Sequence, residues 1–284
     1  MLTIRHRTSY HYRLPVQLGP HRLMLRPREG HDVALVSFQL HITPEASVSW
    51  ARDVAGNAVA TAVFSATTES LVIESQTVLN VGAVAWPVFD IAASAIHYPF
   101  RYSDSDWTDL GGLTVMQYSD AAGRLRNWAQ AFVDGNPTDT LALLKDLSTG
   151  VSGWIAYQSR DDEGTQSPVE TLDRGWGSCR DFAMLFVEAA RSLGFGARIV
   201  SGYLDNRAEN LIGQAGAGST HAWAEVYLPG AGWITFDPTN RSVGGFNLVP
   251  VAVGRDIGQI MPVSGSYAGP TNMLESMTVD VDLS

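Results

Sequence analysis

Gly175-Trp176-Gly177-Ser178-Cys179-Arg180-Asp181-Phe182 places two glycines and a serine ahead of an apolar stripe. Phe182, Leu185, Phe186, Ala189 and Leu193 recur at helical spacing until Gly194 stops them. Ser178 is a natural N-cap, and Asp181 three residues on makes an Asp variant of the capping box. Cys179 therefore stands in the first turn of a predicted helix. A thiol there faces unpaired backbone N–H groups and the positive end of the helix dipole, which favour thiolate and lower its pKa from about 8.5. The same N–H groups can hold a developing oxyanion. Cys179 is the only cysteine, so it forms no intramolecular disulfide and builds no structural zinc site by itself. Free cysteines are most often small buried hydrophobes. A cysteine of that kind belongs on the Phe182/Leu185/Phe186 stripe more than at a glycine-flanked helix entry. Position alone does not make a nucleophile, and a base is needed.

The base is sought downstream. His221-Ala222-Trp223-Ala224-Glu225-Val226-Tyr227-Leu228 alternates strictly, with His221, Trp223, Glu225 and Tyr227 on one face. Pro229-Gly230-Ala231 is turn chemistry, and Gly232-Trp233-Ile234-Thr235-Phe236-Asp237 returns as a second strand that ends at Pro238. Register decides whether Asp237 serves His221, because a one-residue slip moves a side chain to the other face. A three-residue loop pairs Leu228 with Gly232 and Trp223 with Asp237, which puts Asp237 on the His221 face and diagonal to it, roughly 7 to 8 Å away. A plain four-residue loop would turn Asp237 toward the core. An imidazole beside a thiol can take its proton and return it to a leaving amine, while a carboxylate on the other ring nitrogen fixes tautomer and orientation. Taken singly, His221 reads as a hydrogen-bonded strand histidine and Asp237 as a turn cap. Taken together with Cys179 they make a Cys-His-Asp set.

Outward from these segments, the 284 residues divide into four parts. Residues 1–81 alternate as strands and predict an antiparallel β-sandwich-like domain. Residues 82–118 mix Pro87, Pro99, Gly111 and Gly112 with aromatics and predict a linker. Residues 119–250 predict an α+β domain: Leu125, Trp128, Ala129 and Phe132 share one helical face, and Leu141, Leu144 and Leu147 point inward from a second helix. Residues 251–284 predict a β-rich tail that returns to one of the two sheets. The formal charge of −10 argues against nucleic acid or an anionic membrane as partner and leaves a peptide, protein or small molecule. No run of about 18 apolar residues appears, and the first fifteen residues hold Arg5, His6, Arg7 and Arg13, so the expectation is a cytoplasmic protein without a membrane span. Oligomeric state is not legible.

Four ordered blocks carry a resemblance: Gly177 to Asp181, Ala197-Arg198-Ile199-Val200-Ser201-Gly202-Tyr203, His221 to Tyr227, and Gly232 to Thr239. They resemble the bacterial transglutaminase-like family, within the papain-like cysteine enzyme superfamily. The front end, through Tyr10-His11-Tyr12, Leu25-Arg26-Pro27 and Asp53-Val54-Ala55-Gly56-Asn57, is similar to the β-rich module joined to that core, and Val251-Ala252-Val253-Gly254-Arg255-Asp256 to its tail. The resemblance implies a papain-like α+β core with the nucleophile at a helix N-terminus packed on an antiparallel sheet. It implies Cys179 as nucleophile, His221 as base then acid, Asp237 as orienter, and Tyr157 as an oxyanion donor. The reaction it implies is acyl transfer on an amide or peptide bond through a thioester. Protease or amidase hydrolysis is favoured over protein-glutamine cross-linking or deamidation, because no second dry site for an amine is visible. A silent binding scaffold is the other alternative; it would be signalled by a lost triad member, and none is lost. No calcium or other cofactor is implied. His6, His11, His21, His31 and His41 lack metal-ligand spacing, and Glu225 reads as a surface or cleft carboxylate, so no metal is expected. Trp176 and Trp223, with Tyr227, are candidates to line the substrate cleft or else to pack the interdomain surface, and the segment from Gly213 to Thr220 is expected to be a flap beside His221.

Overall fold

A computed structural model describes residues 1–160, 164–205 and 218–284. The N-terminal module is two antiparallel sheets face to face. Leu2–Leu18 (β1) pairs with Thr67–Val81 (β6), which pairs in turn with Val33–Thr43 (β3); His21–Leu23 (β2), Ser47–Arg52 (β4) and Ala58–Val63 (β5) form the second layer. Period-two alternation sends Leu71 and Ile73 inward to meet Leu18, Leu23, Leu25, Ala60 and Ala62.

The second module is an α+β layer pair. Its sheet runs Ser242–Val243, Gly232–Asp237 (β9), Gly218–Leu228 (β8), Ala197–Asp205 (β7) and Leu248–Gly254 (β10) in spatial order, antiparallel throughout. Against it lies the helix Cys179–Ser192, here α5, every residue of which from Asp181 to Arg191 is buried. A helix apolar on one stripe only would leave its far side in water. This one is covered by Arg124–Gln130 (α2), Thr140–Trp154 (α3) and Pro168–Arg174 (α4), so Ala183, Met184 and Val187 are as dry as Phe182 and Phe186. Asp139 caps α3 by accepting the Ala142 N–H at 2.7 Å, and the helix so started buries Leu143, Leu144, Leu147 and Val151. Leu141, expected inward, is only half-buried, and Leu143 takes its place.

Residues 82–118 hold more structure than a linker. Ser103 Oγ accepts the Asp106 N–H at 3.0 Å and starts a seven-residue helix, Asp104–Leu110 (α1), with one buried residue, too short to carry a legible period. Before it, Tyr98 and Phe100 pack on Phe195, and the Tyr102 hydroxyl donates to Tyr227 O. After it, the buried Glu188 on α5 accepts the N–H groups of Gln117 and Tyr118 and pairs with Arg191 at 2.6 Å. The segment is strapped to the core by these ties. The tail does not return to one sheet but divides among three: β10 completes the core sheet, Val263–Ser264 pairs with β2, and Leu274–Leu283 (β11) runs along β1.

The two modules share a core. Leu2, Ile4, Val33 and Leu79 from the N-terminal sheet pack with Tyr203, Val249 and Val251 from the core sheet. Asn57, 1% exposed, bonds β10 like a strand: Nδ2 donates to Val253 O at 2.8 Å and Oδ1 accepts the Val253 N–H at 2.9 Å. Asp53 accepts a second proton from the same amide, so the turn Asp53 to Asn57 plugs the N-terminal module onto the core sheet.

Candidate active site

Three elements meet at the N-terminus of α5. Ser178 is its N-cap in extended conformation, and the Asp181 carboxylate accepts both the Ser178 N–H and its hydroxyl at 2.8 Å. The other Asp181 oxygen accepts Arg160 Nη2 at 3.0 Å and the Gln166 N–H at 2.7 Å. Asp181 is fully buried, so one side chain caps the helix and holds the loop after Tyr157 against it. Cys179, the next residue after the cap, keeps partial exposure.

The hairpin brings the other two residues. β8 and β9 pair Leu228 with Gly232 and Ala224 with Phe236, the register that a three-residue loop demands. His221 Nε2 lies 2.9 Å from Asp237 Oδ2, both side chains about 1% exposed. A carboxylate only accepts, which makes Nε2 the protonated nitrogen and leaves Nδ1 for the thiol. Burial works to raise the Cys179 pKa, but the hydrogen bond and charge of His221, the Ala222 backbone N–H and the Arg180 charge outweigh it, and the thiol sits below its ordinary range. Burial likewise works against the charge on His221, yet Asp237 and Cys179 push it up to about 10. Asp237 is lowered against its own burial by His221 and Asn240. All three directions describe one state, a thiolate beside an imidazolium that is backed by a carboxylate.

Tyr157 stands beside this pair. Its backbone bridges Gly177 in a short parallel contact with Trp176-Gly177, and its ring meets Phe182 edge-on at 6.1 Å. Burial first, then the Cys179 charge, raise its hydroxyl to about 12 against the opposing effect of Arg180, so it is a proton donor at neutral pH. Trp176 is half-buried at the same rim, with the Arg174 guanidinium 5.4 Å from its ring.

Trp223 is not a cleft residue. It is 1% exposed and packs with Val200, Leu204, Leu248 and Val253, and its ring lies 27° from the plane of the His221 imidazole at 6.1 Å. Side chains of β7 and β10, with Ala55 of the N-terminal module, cover this side of the sheet, so both of its faces are buried at Trp223. Room for the indole comes from Gly202, where a Cβ would meet Val249 O at 2.1 Å and the Trp223 ring at 2.7 Å. Glu225 is paired with Arg198 at 2.6 Å. Of the expected flap, residues 213–217 lie outside the described residues, and 218–220 open β8. Sequence reading also passed over Asn240, whose signal was an i,i+3 turn placed directly after the strand that carries Asp237.

With this geometry in place, comparison with known proteins is decisive for kinship. The bacterial transglutaminase-like N-terminal region matches residues 2–80, and the transglutaminase-like superfamily core matches residues 126–238. Over these two stretches the chain is similar to the bacterial transglutaminase-like family. An uncharacterised protein of Mycobacterium leprae, ML0607, is 36% identical over 103 residues, which are 36% of each chain. The uncharacterised protein YebA of Bacillus subtilis is 36% identical over 69 residues, 22% of this chain and 9% of that one. The matched stretches thus span about a third and a tenth of these relatives. A crystal structure from Cytophaga hutchinsonii, described as a candidate cysteine protease, has the same fold: TM-score 0.75 over 99% of this chain and 90% of that one, at 19% identity.

Proposed function

We propose that this chain is a thiol enzyme that hydrolyses an amide or peptide bond of a peptide or protein substrate through a Cys179 thioester. The observation that carries the reading is the buried His221 bridging Cys179 and Asp237, which favours thiolate at the helix N-terminus. In this reading the Cys179 thiolate attacks the carbonyl carbon, and the oxyanion so formed is met by backbone N–H groups of the first turn of α5 and by the Tyr157 hydroxyl. His221 Nδ1–H protonates the leaving amine, which departs with the C–N electron pair. The neutral imidazole then takes a proton from water, hydroxide adds to the thioester, and the thiolate leaves as the acid is released. Asp237 holds the ring in the tautomer that both proton transfers need.

An electrophilic peptide probe tests the reading. Wild type should gain the mass of one probe on Cys179 at neutral pH, and Cys179→Ala, His221→Ala and unfolded protein should gain none. Labelling no faster than for an ordinary surface thiol would remove it. Turnover of a peptide library with and without an added amine separates hydrolysis from transamidation, since only the latter yields amine-linked products.

A further inference from the structure

We infer that Asn240 is a positioning residue for the triad, one that fixes the Asp237 carboxylate so that Oδ2 faces His221; the inference rests on the function proposed above. Asp237 closes a turn on itself. Oδ1 accepts the N–H groups of Thr239 at 3.0 Å and Asn240 at 3.3 Å, while Oδ2 is shared between His221 Nε2 at 2.9 Å and Asn240 Nδ2 at 2.8 Å. A carboxylate on a Cβ has a soft terminal torsion, and two backbone donors on one oxygen still allow it to rock. The side-chain amide removes that freedom by meeting the oxygen that the imidazole uses. It also takes a lone pair that would otherwise be buried unmet, since Asp237 is 1% exposed. The turn is itself anchored: Arg241, at φ 55°, donates Nε to Ser152 Oγ at 2.7 Å and Nη2 to Ser152 O at 3.2 Å. Ser152 lies near the end of α3, five residues before Tyr157, so the carboxylate and the proposed oxyanion donor are referred to the same helix end. Asn240 meets the triad at Asp237 Oδ2. It acts through Asp237, and then through the charge that His221 holds.

The test reads the thiolate and needs no substrate: the rate of Cys179 alkylation by iodoacetamide against pH, for wild type, Asn240→Leu, Asn240→Ala and Asn240→Ser. Leu keeps the bulk and removes the donor, Ala removes both, and Ser keeps a donor on a shorter arm. Asn240→Leu and Asn240→Ala should move the acid limb of alkylation up by about one pH unit, a reaction about tenfold slower at any pH below the wild-type limb, with Asn240→Ser intermediate. A merely structural role would lower the melting temperature and leave that limb where it was. Folded Asn240→Leu or Asn240→Ala protein with the wild-type limb overturns the inference alone. A wild-type limb in the ordinary thiol range overturns it together with the proposed function.

Discussion

At the scale of single residues, His221 ties activity and stability to pH. Its folded pKa lies above the unfolded value of 6.5, so its contribution to stability is fully present below pH 6.5 and is lost as pH rises through about 10. Asp237 is depressed, so its contribution is present above its unfolded pKa of 3.8 and disappears as pH falls through the lower folded value. Activity should follow the same pair. kcat/KM should rise as pH climbs through the lowered Cys179 pKa, run level across neutrality, and fall near pH 10 as the imidazolium that protonates the leaving amine is lost; a pH–rate profile checks both limbs. Tyr157→Phe should lower kcat by about 10²-fold, the usual cost of one oxyanion donor, with KM and the alkylation rate of Cys179 unchanged. A loss confined to KM would place Tyr157 in substrate binding instead. Cys179, His221 and Asp237 were legible as residue types in a telling order. Trp223 was not, because its burial comes from Val200, Leu204, Leu248 and Val253 on β7 and β10, with Ala55 against them, and these meet it only in the folded sheet.

At the scale of elements, the entry to α5 depends on one carboxylate. Asp181 serves the Ser178 N–H and hydroxyl, Gln166 N–H and the Arg160 guanidinium, which is itself 9% exposed. Asp181→Ala should cost more than about 1 kcal/mol in chemical denaturation, because it uncaps the helix and removes the buried carboxylate that Ser178, Gln166 and Arg160 share. A loss under about 1 kcal/mol would mean that Arg160 finds another partner or swings to water. The glycine-flanked N-cap was readable from local sequence, since capping is a contact within four residues. The Arg160 contact was not, since it depends on how the loop after Tyr157 folds back. In the hairpin, parity was derivable from loop length, and Gly230 at φ 86° and Gly232 at φ 72° supply the backbone that a three-residue turn requires.

At the scale of the whole molecule, the joint between modules is where acid should act first. His6, 2% exposed, sits between the sheets with Nδ1 at 2.9 Å from the Tyr203 hydroxyl and Nε2 at 2.9 Å from Thr8 Oγ1. Burial lowers its pKa to about 4. Between pH 6.5 and 4 the unfolded chain therefore binds a proton that the folded chain refuses, and stability falls with pH by an amount on the order of 3 kcal/mol. His6→Gln should lose less melting temperature than wild type between pH 7 and pH 4.5; equal losses would show that other groups dominate acid unfolding. Tyr203 neighbours Gly202, which pairs with His221 across β7 and β8, so the joint lies one residue from the site.

Sequence alone determined the α+β class, the sandwich-like front module and the capped helix with its cysteine, and it reduced the pairing of Asp237 with His221 to a choice between an odd and an even hairpin loop. Each of these is a local regularity: a period of two or 3.6, a cap within four residues, a turn of known length. Tertiary structure decided the rest. It buried Trp223, made a strap of residues 82–118, split the tail among three sheets, and set Asn240 on the Asp237 carboxylate that meets His221. Those outcomes turn on which surfaces of distant segments are removed from water together, and no window of sequence a helix or a strand long contains that information.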